Sequence, residues 1–381
     1  MDTVFNTPRG LTYDPIYAEV WPVDGDGPVG RVEQPEKLEV TWEMTGSGTA
    51  VLEAPLTQTT GLLTSIDGKY LLVVGFNGLR HVSIPVEATV YAEDQAPNDV
   101  RVRIVTASPW SLLDGEIIPP APRQWPINSV EQKTTEFFTA KGSADEVIRK
   151  IIRAGVEILG HPIVVLPDNP KGPNRSIAAR LDKVSDLVKK ALADTNLWVS
   201  LEPWLPGDPV LDGVSSSTPV VVADVRKYRR VDGLVWSTAG EDITSWKIKA
   251  TRPTATHIFV HDDKKHPEQE IHSFTDGDSG RWIRRLAQGE YKPPEEEAKQ
   301  VAEALLAEHA GTREIEVEVT PSSVWEFGSD NKHTHQYQVG DIVTLELPIG
   351  AFEQVITEVV VEYTPMALTV TPKVATPHNG E

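Results

Sequence analysis

Arg313-Glu-Ile-Glu-Val-Glu-Val-Thr320 is the stretch on which the reading of this chain turns. Ile315, Val317 and Val319 alternate strictly with Glu314, Glu316 and Glu318, the two-residue period of a strand with one wet face. An α-helix would scatter those residues around its circumference. Tyr337-Gln-Val-Gly-Asp-Ile-Val-Thr-Leu-Glu-Leu347 repeats the pattern, sending Val343, Leu345 and Leu347 to one face and Thr344 and Glu346 to the other. Between Phe352 and Tyr363, Val355, Val359, Val361 and Tyr363 share a face, and after a Thr-Pro break Leu368 and Val370 continue in a last strand. Short connections make the final three strands antiparallel neighbours. A sheet of this kind pairs or closes its edges, so a barrel or sandwich is expected.

The rest of the chain is bounded by composition. At 381 residues it has room for two or three domains, and 39% apolar residues suffice for real cores. A formal charge of −20 opposes nonspecific binding to nucleic acid or anionic lipid, which repel such a surface. No run of 18 apolar residues occurs, and Met1-Asp-Thr-Val-Phe-Asn6 has neither the basic region nor the apolar core of a signal peptide, so manufacture in the cytoplasm is expected. The absence of cysteine removes disulfides, thiolate metal sites and thiol catalysis.

Residues 1 to 128 read as one meandering β domain. Its candidate strands are Ile16–Trp21, Lys37–Met44, Thr49–Glu53, Tyr70–Phe76, His81–Tyr91 and Val100–Thr106, and Asn77-Gly78 is the strongest hairpin signal. Pro119, Pro120, Pro122 and Pro126 mark a stiff connector. Residues 129 to 205 read as a small α/β domain. Ser143-Ala-Asp-Glu146 is a capping box, followed on one helical face by Val147, Ile148, Ile151 and Ile152. A second helix is expected from Ser176 to Thr195, with the stripe Ile177, Leu181, Val184, Leu187, Val188 and Leu192. The polar residues Asp145, Arg149, Lys189 and Lys190 are expected to need solvent or a peripheral neighbour. Leu197–Glu202 returns as a strand. Residues 206 to 381 form a second, barrel-like β domain. Its strands include Leu234–Trp236, Thr244–Thr251 and Thr256–His261, with Trp246 expected in the core, and its helix runs from about Glu295 to His309. The fold class is therefore mainly β with an α/β insertion: two antiparallel barrel-like domains, read as duplicates, plus a small α/β domain.

No catalytic, cofactor-binding or metal site is assigned. Gly277-Asp-Ser-Gly280 matches the nucleophile tetrapeptide of trypsin-like proteases, but Thr254-Ala-Thr-His257 lies too close in sequence and Arg281 stands where that family has glycine, so a turn is favoured. Asp276-Gly-Asp-Ser-Gly280 resembles the start of a calcium loop whose closing carboxylate position is Ala287. His257, His261, Asp262, Asp263, His266 and His272 are the densest ligand-type cluster, for which a solvated hairpin tip is favoured over weak metal binding. His333 and His335 receive the same reading. No Walker loop or Gly-x-Gly-x-x-Gly occurs. Ten tryptophans suggest sugar stacking, but Trp198, Trp236 and Trp246 fall in strand patterns that core packing explains.

The order of three passages carries a resemblance. These are Ser176-Ile-Ala-Ala-Arg-Leu-Asp-Lys-Val-Ser-Asp-Leu-Val-Lys-Lys-Ala-Leu-Ala-Asp-Thr-Asn-Leu-Trp-Val-Ser-Leu201, Ser245-Trp-Lys-Ile-Lys-Ala-Thr251 with Thr256-His-Ile-Phe-Val260, and Tyr337-Gln-Val-Gly-Asp-Ile-Val-Thr344 with Val355-Ile-Thr-Glu-Val359. Together they span roughly residues 130 to 372. The chain resembles the tail hub, or minor tail, proteins of siphophages infecting actinobacteria, similar in fold to the central baseplate hub of contractile phages. The resemblance implies a non-enzymatic virion component, assembled in the host cytoplasm. It implies a homotrimer whose two barrels per chain make a pseudo-sixfold ring. Distal tail protein, tape measure protein and tail fibre or spike proteins would be its neighbours, and DNA would pass through without specific binding. Some relatives carry a C-terminal enzymatic extension, for which the residues after Val370 leave no room. A tail-tip cell-wall hydrolase and a carbohydrate-binding adhesin are the alternatives.

Overall fold

The computed structural model describes residues 5–6, 12–13, 16–33, 35–45, 48–93, 96–118, 137–159, 162–262, 271–275, 285–290, 295–311, 313–319, 325–328 and 335–377. The expected proline connector, the Gly277–Gly280 motif, Asp263, His266 and His333 lie outside the described residues.

Tyr70–Phe76 reads Tyr-Leu-Leu-Val-Val-Gly-Phe, apolar along its whole length, and a strand of that composition must be covered on both faces. Leu72, Val74 and Phe76 enter one core while Leu71 and Val73 enter another. Its neighbours are Ile16–Pro22 and the first residues of Leu79–Glu93, both antiparallel. The link to the latter is the two-residue turn Asn77-Gly78, with φ of 45° and 78°; Asn tolerates this left-handed region and Gly enters it freely. Leu79–Glu93 then changes partner. Leu79 to Ser83 pair with Tyr70–Phe76, whereas Ile84 onward pairs with Ala96–Ala107, with a register shift between Pro85 and Glu87. The strand thus turns a corner between two arms of one sheet.

From Ala96–Ala107 the ladder continues antiparallel to Ala50–Pro55, Lys37–Glu43 and Gly350–Thr364. The step from Lys37–Glu43 to Gly350–Thr364 joins the first and last β regions in a continuous sheet, with Val40 opposite Val361 and Trp42 opposite Val359. Asp341–Leu347 and Ala367–Ala375 flank Gly350–Thr364 antiparallel, as expected, and Arg229–Ser237 adds in parallel to Asp341–Leu347. The result is an eleven-stranded sheet; among the described residues its strand order does not close into a barrel. Parallel pairs also join Ile163–Val165 to Val220–Lys227 and His257–Asp262 to Arg285–Glu290, so the β structure is mainly, not wholly, antiparallel. The main core lies between the arms and includes Val20, Leu38, Leu52, Leu72, Ile104, Trp236, Leu345 and Val361.

The α/β unit covers the opposite face of the Tyr70–Phe76 arm. Helix Ala144–Leu159 starts at the expected capping box: Ser143 N–H donates to Glu146 Oε2 at 2.8 Å and Glu146 N–H to Ser143 Oγ at 3.4 Å. Val147, Ile148, Ile151 and Ile152 pack with Trp21, Leu71, Val73, Val82 and Trp110. Two expectations are corrected here. The segment from Ser176 does not begin a helix: Asn174–Ala179 is a strand paired with Phe138–Ser143, and the helix runs only from Val184 to Leu192. Ile177 and Ala179 satisfy a two-residue period as well as a helical one, and ladder pairing decides in favour of the strand. Leu181 then adopts φ 63°, and Val184 N–H donates to Glu116 O where the helix begins. Asp145 and Arg149 are buried, not solvated. Arg149 Nε donates to both Asp145 oxygens at 3.0 and 3.1 Å, and its Nη2 reaches Asp224 at 2.8 Å. Charge on a helix is a poor guide to exposure when a partner strand supplies its counterion. Lys189 and Lys190 are exposed, as expected.

In the last region, Glu295–Glu308 packs Ala298 and Ala302 against Ile258 and Val260. Ile243–Ala250 pairs antiparallel with Arg313–Val319, placing Lys247 opposite Glu316 and Lys249 opposite Glu314. The glutamate row thus runs beside a strand bearing lysines. Trp246 is 37% exposed and not a core residue. Among the described side chains of this two-stranded ribbon only Ile243 and Ile315 are buried, so its clean alternation marks a face without a complete covering layer. Trp198 and Trp236 are buried, as expected.

Candidate functional site

Where the β regions and the α/β unit meet, strand Lys37–Glu43, the start of Leu79–Glu93 and strand Leu197–Trp204 surround a cavity of about 390 Å³. Its walls include Trp42, His81, Trp110, Trp198 and Phe327, with Arg80, Glu202, Arg226 and Gln338 as the longer polar side chains. Each wall is fixed by contacts distant in sequence. Val199 N–H donates to Thr45 Oγ1 at 2.8 Å, which ties the α/β unit to the end of Lys37–Glu43. Phe327 is held by Asn77, whose Nδ2 donates to Phe327 O at 2.9 Å. Trp42 meets His81 and Phe327 edge-on at 5.6 and 5.3 Å, and the aromatic run continues through Tyr337 to Trp236. Gly340, with φ of 88°, lets its backbone approach Trp198: a Cβ there would meet the indole nitrogen at 2.6 Å.

The charged groups of the site are paired. Arg226 donates to both Glu202 oxygens at 2.5 and 2.8 Å and lies over the Trp198 ring at 5.8 Å. Burial draws the Arg226 guanidinium down, but Glu202 and Asp224 outweigh it and hold its pKa above the usual value. Arg80 makes a two-pronged bond to Asp208 at 2.7 and 3.0 Å. The neutral ring nitrogens are not so provided. Trp42 Nε1, His81 Nδ1, Trp110 Nε1 and Trp198 Nε1 are all buried without a hydrogen-bond partner. Burial alone pulls the His81 imidazole down to about 4, so it is neutral at pH 7.

The histidine cluster singled out in the sequence is divided by the fold. His257 and His261 share a face of His257–Asp262 by their even spacing, whereas His272 stands opposite Val260 and so lies on the other face, stacked on Phe274 at 6.5 Å. No group of three metal-ligating side chains occurs among the described residues. Sequence reasoning missed the cavity. Its aromatic walls come from segments up to about 285 residues apart, and the available signal was tryptophan at a strand end, as at Trp42, or beside a proline, as at Trp110.

With this architecture in view, comparison with known proteins is specific. The family model described as Siphovirus ReqiPepy6 Gp37-like protein matches residues 18–374, and the chain belongs to that family. Its fold is that of phage tail proteins. The 43 kDa tail protein of prophage MuSo2 from Shewanella oneidensis is 12% identical, with a TM-score of 0.56 over 96% of this chain and 99% of that one. A tail protein from Neisseria meningitidis MC58 is 11% identical, with a TM-score of 0.55 over 94% and 96%. Prophage tail protein gp18 from Listeria monocytogenes EGD-e is 10% identical, with a TM-score of 0.51 over 96% and 95%. No curated protein matches. No helix of the described residues is long and apolar enough to cross a membrane.

Proposed function

We propose that this chain is a structural, non-enzymatic hub of a siphophage tail tip: a homotrimeric ring that joins the end of the tail tube to the fibres or spike and surrounds the DNA exit path. The observation that carries this reading is the whole-length match to tail proteins, which leaves no large part of the chain to be assigned another role. An internal duplication is part of this reading. Leu79–Glu93 and Gly350–Thr364 are both 15 residues long, and each pairs antiparallel with the strand that follows it in sequence. Two such units per chain and three chains make a ring of six. The boundaries 1–128, 129–205 and 206–381 are proposed as units of evolutionary descent, while the continuous sheet makes the outer two one mechanical body. The α/β unit lies on the face of the Tyr70–Phe76 arm remote from the main core, which suits an insertion on the outside of the ring. Three chains carry three times −20, a charge to which DNA phosphates do not adhere.

Distal tail protein, tape measure protein and fibre or spike proteins are the proposed neighbours, with the virion as the final location. Quantitative mass spectrometry of purified particles tests this directly. Copies at one half of a sixfold tail component, with no turnover of peptidoglycan by the isolated chain, are the expected result. A single copy per particle, or cell-wall hydrolysis lost on one carboxylate substitution, would replace it with the hydrolase reading.

A further inference from the structure

The two β units agree in more than the length of their long strands. Phe76 pairs with Leu79 at the turn entering one, and Leu347 with Gly350 at the turn entering the other. The register shift falls between Pro85 and Glu87 in the first and between Ile356 and Glu358 in the second. The closing pairs are Glu93 with Ala96 and Thr364 with Ala367. One constant offset relates all these positions, so Val90 is the counterpart of Val361 and Ala88 of Val359. The flanking strands follow the same order. Ala96–Ala107 is bordered by Ala50–Pro55 and then by Lys37–Glu43, while Ala367–Ala375 lies beside Arg313–Val319, which pairs with Ile243–Ala250. Ile243–Ala250 is therefore the counterpart of Lys37–Glu43.

Lys37–Glu43 gives its outer edge to the second unit, where Val40 and Trp42 stand opposite Val361 and Val359 and both of those valines are fully buried. The equivalent edges elsewhere in the repeat carry no strand among the described residues. They are the outer edge of Ile243–Ala250 and the edge of Glu87–Tyr91 away from Ala96–Ala107. Their apolar faces are open to match: Val90 is 50% exposed where Val361 is 0%, and Trp246 is 37% exposed. An open strand edge beside uncovered apolar side chains is a template for another strand. Charge favours a meeting of these two edges. Alternation puts Lys247 and Lys249 on the face of their strand opposite Trp246 and Ile248, and puts Glu87 on the face opposite Ala88 and Val90. Joining apolar face to apolar face, antiparallel as in the internal junction, sets the lysines on the same side as that glutamate.

We propose that Ile243–Ala250 of one copy of this chain adds antiparallel to Glu87–Tyr91 of the next, repeating between chains the junction that Lys37–Glu43 makes with Gly350–Thr364 within one. Main-chain hydrogen bonds supply the attachment, and the apolar faces fix which side of the strand turns inward. The two surfaces differ, so the contact is head to tail. It covers Val90 and Trp246 together and supplies the layer that the Ile243–Ala250 ribbon lacks. Closure after three copies rests on the proposed ring; the strand junction itself does not depend on copy number.

The test uses the full chain, concentrated in solution and, separately, in assembled tails. The sequence has no cysteine, so an introduced thiol is unique. Val90→Cys and Trp246→Cys chains, mixed and treated with a short bismaleimide that spans neighbouring registers, should give a cross-linked pair, whereas neither variant alone should. The double variant Val90→Cys/Trp246→Cys should give species of two and three chains. Val90→Asp and Trp246→Asp should each weaken association more than about tenfold, with circular dichroism and melting of the single chain verifying the fold. Val210→Asp, at a residue 95% exposed outside both edges, should associate as wild type does. Absence of the mixed cross-link both in solution and in tails would overturn the junction, as would cross-linking of Val90→Cys with itself or wild-type association of both folded aspartate variants. A trimer by native mass spectrometry without the mixed cross-link would refute the junction and leave the ring, whereas cross-linked chains longer than three would uphold the junction and refute the ring.

Discussion

Replacing Arg149 with Met removes a buried cation while keeping most of its aliphatic volume. Arg149 and Asp145 are 1% and 0% exposed, and the guanidinium donates to both Asp145 oxygens, to Asp224 and, at 3.1 Å, to Leu166 O. After the substitution Asp145 keeps the Asn169 N–H at 3.0 Å, while Asp224 keeps Arg226. The cost is therefore concentrated on Asp145, which must stay buried with its charge uncompensated or take up a proton. Breaking a buried pair from one side costs about 3–5 kcal/mol, far more than a surface pair of the same geometry. The double variant Asp145→Leu/Arg149→Met removes both charges and should recover most of that loss, since replacing an entire buried pair by apolar groups is often close to neutral. Equilibrium urea unfolding, followed by circular dichroism and fluorescence, measures all three proteins. If Arg149→Met lies within about 1 kcal/mol of wild type, the network is not what holds helix Ala144–Leu159 to its sheet, and the reasoning fails.

Three further outcomes are expected. The unfolded chain protonates His81 near 6.5 while the folded protein does so only near 4, so the His81 contribution is complete above about pH 6.5 and falls as pH drops toward 4, by up to about 3 kcal/mol. His81→Phe should lose that slope, read from urea midpoints across the window. Trp246→Ala should cost less than about 2 kcal/mol by the same assay, because the side chain is already 37% exposed, whereas Trp236→Ala should cost about 3–5. Gly78→Ala forces a side chain into φ 78° and should destabilise by about 1–2 kcal/mol; an unchanged midpoint would mean that the turn relaxes freely.

Local pattern revealed the strands because their period is local. Tyr70–Phe76, the Asn77-Gly78 turn and the Asp341–Leu347, Gly350–Thr364 and Ala367–Ala375 ladder are all legible residue by residue. What pattern cannot carry is the identity of a neighbour. Glu39 and Glu362 face each other across a pairing that spans almost the whole chain, and nothing near either residue announces it. The same limit accounts for Trp246, whose alternation is sound but whose covering layer is incomplete, and for Arg149, whose counterion Asp224 arrives from a strand 75 residues away. Ile177 failed differently, since spacings of three and four also contain alternate positions, and pairing with Ala140 decided between them. The cavity is the extreme case, because its walls become a set only when Lys37–Glu43, Leu79–Glu93 and Leu197–Trp204 are brought together.

The central claim is a threefold structural ring at the end of the tail, and a cryo-electron microscopy map of the intact tail tip tests it most directly. The account predicts three copies of this chain around the tube axis, with the Leu79–Glu93 and Gly350–Thr364 units alternating around the ring and the α/β unit on its outer surface. A map in which the chain lies off the axis, occurs in another copy number, or turns its α/β unit toward the channel would contradict it.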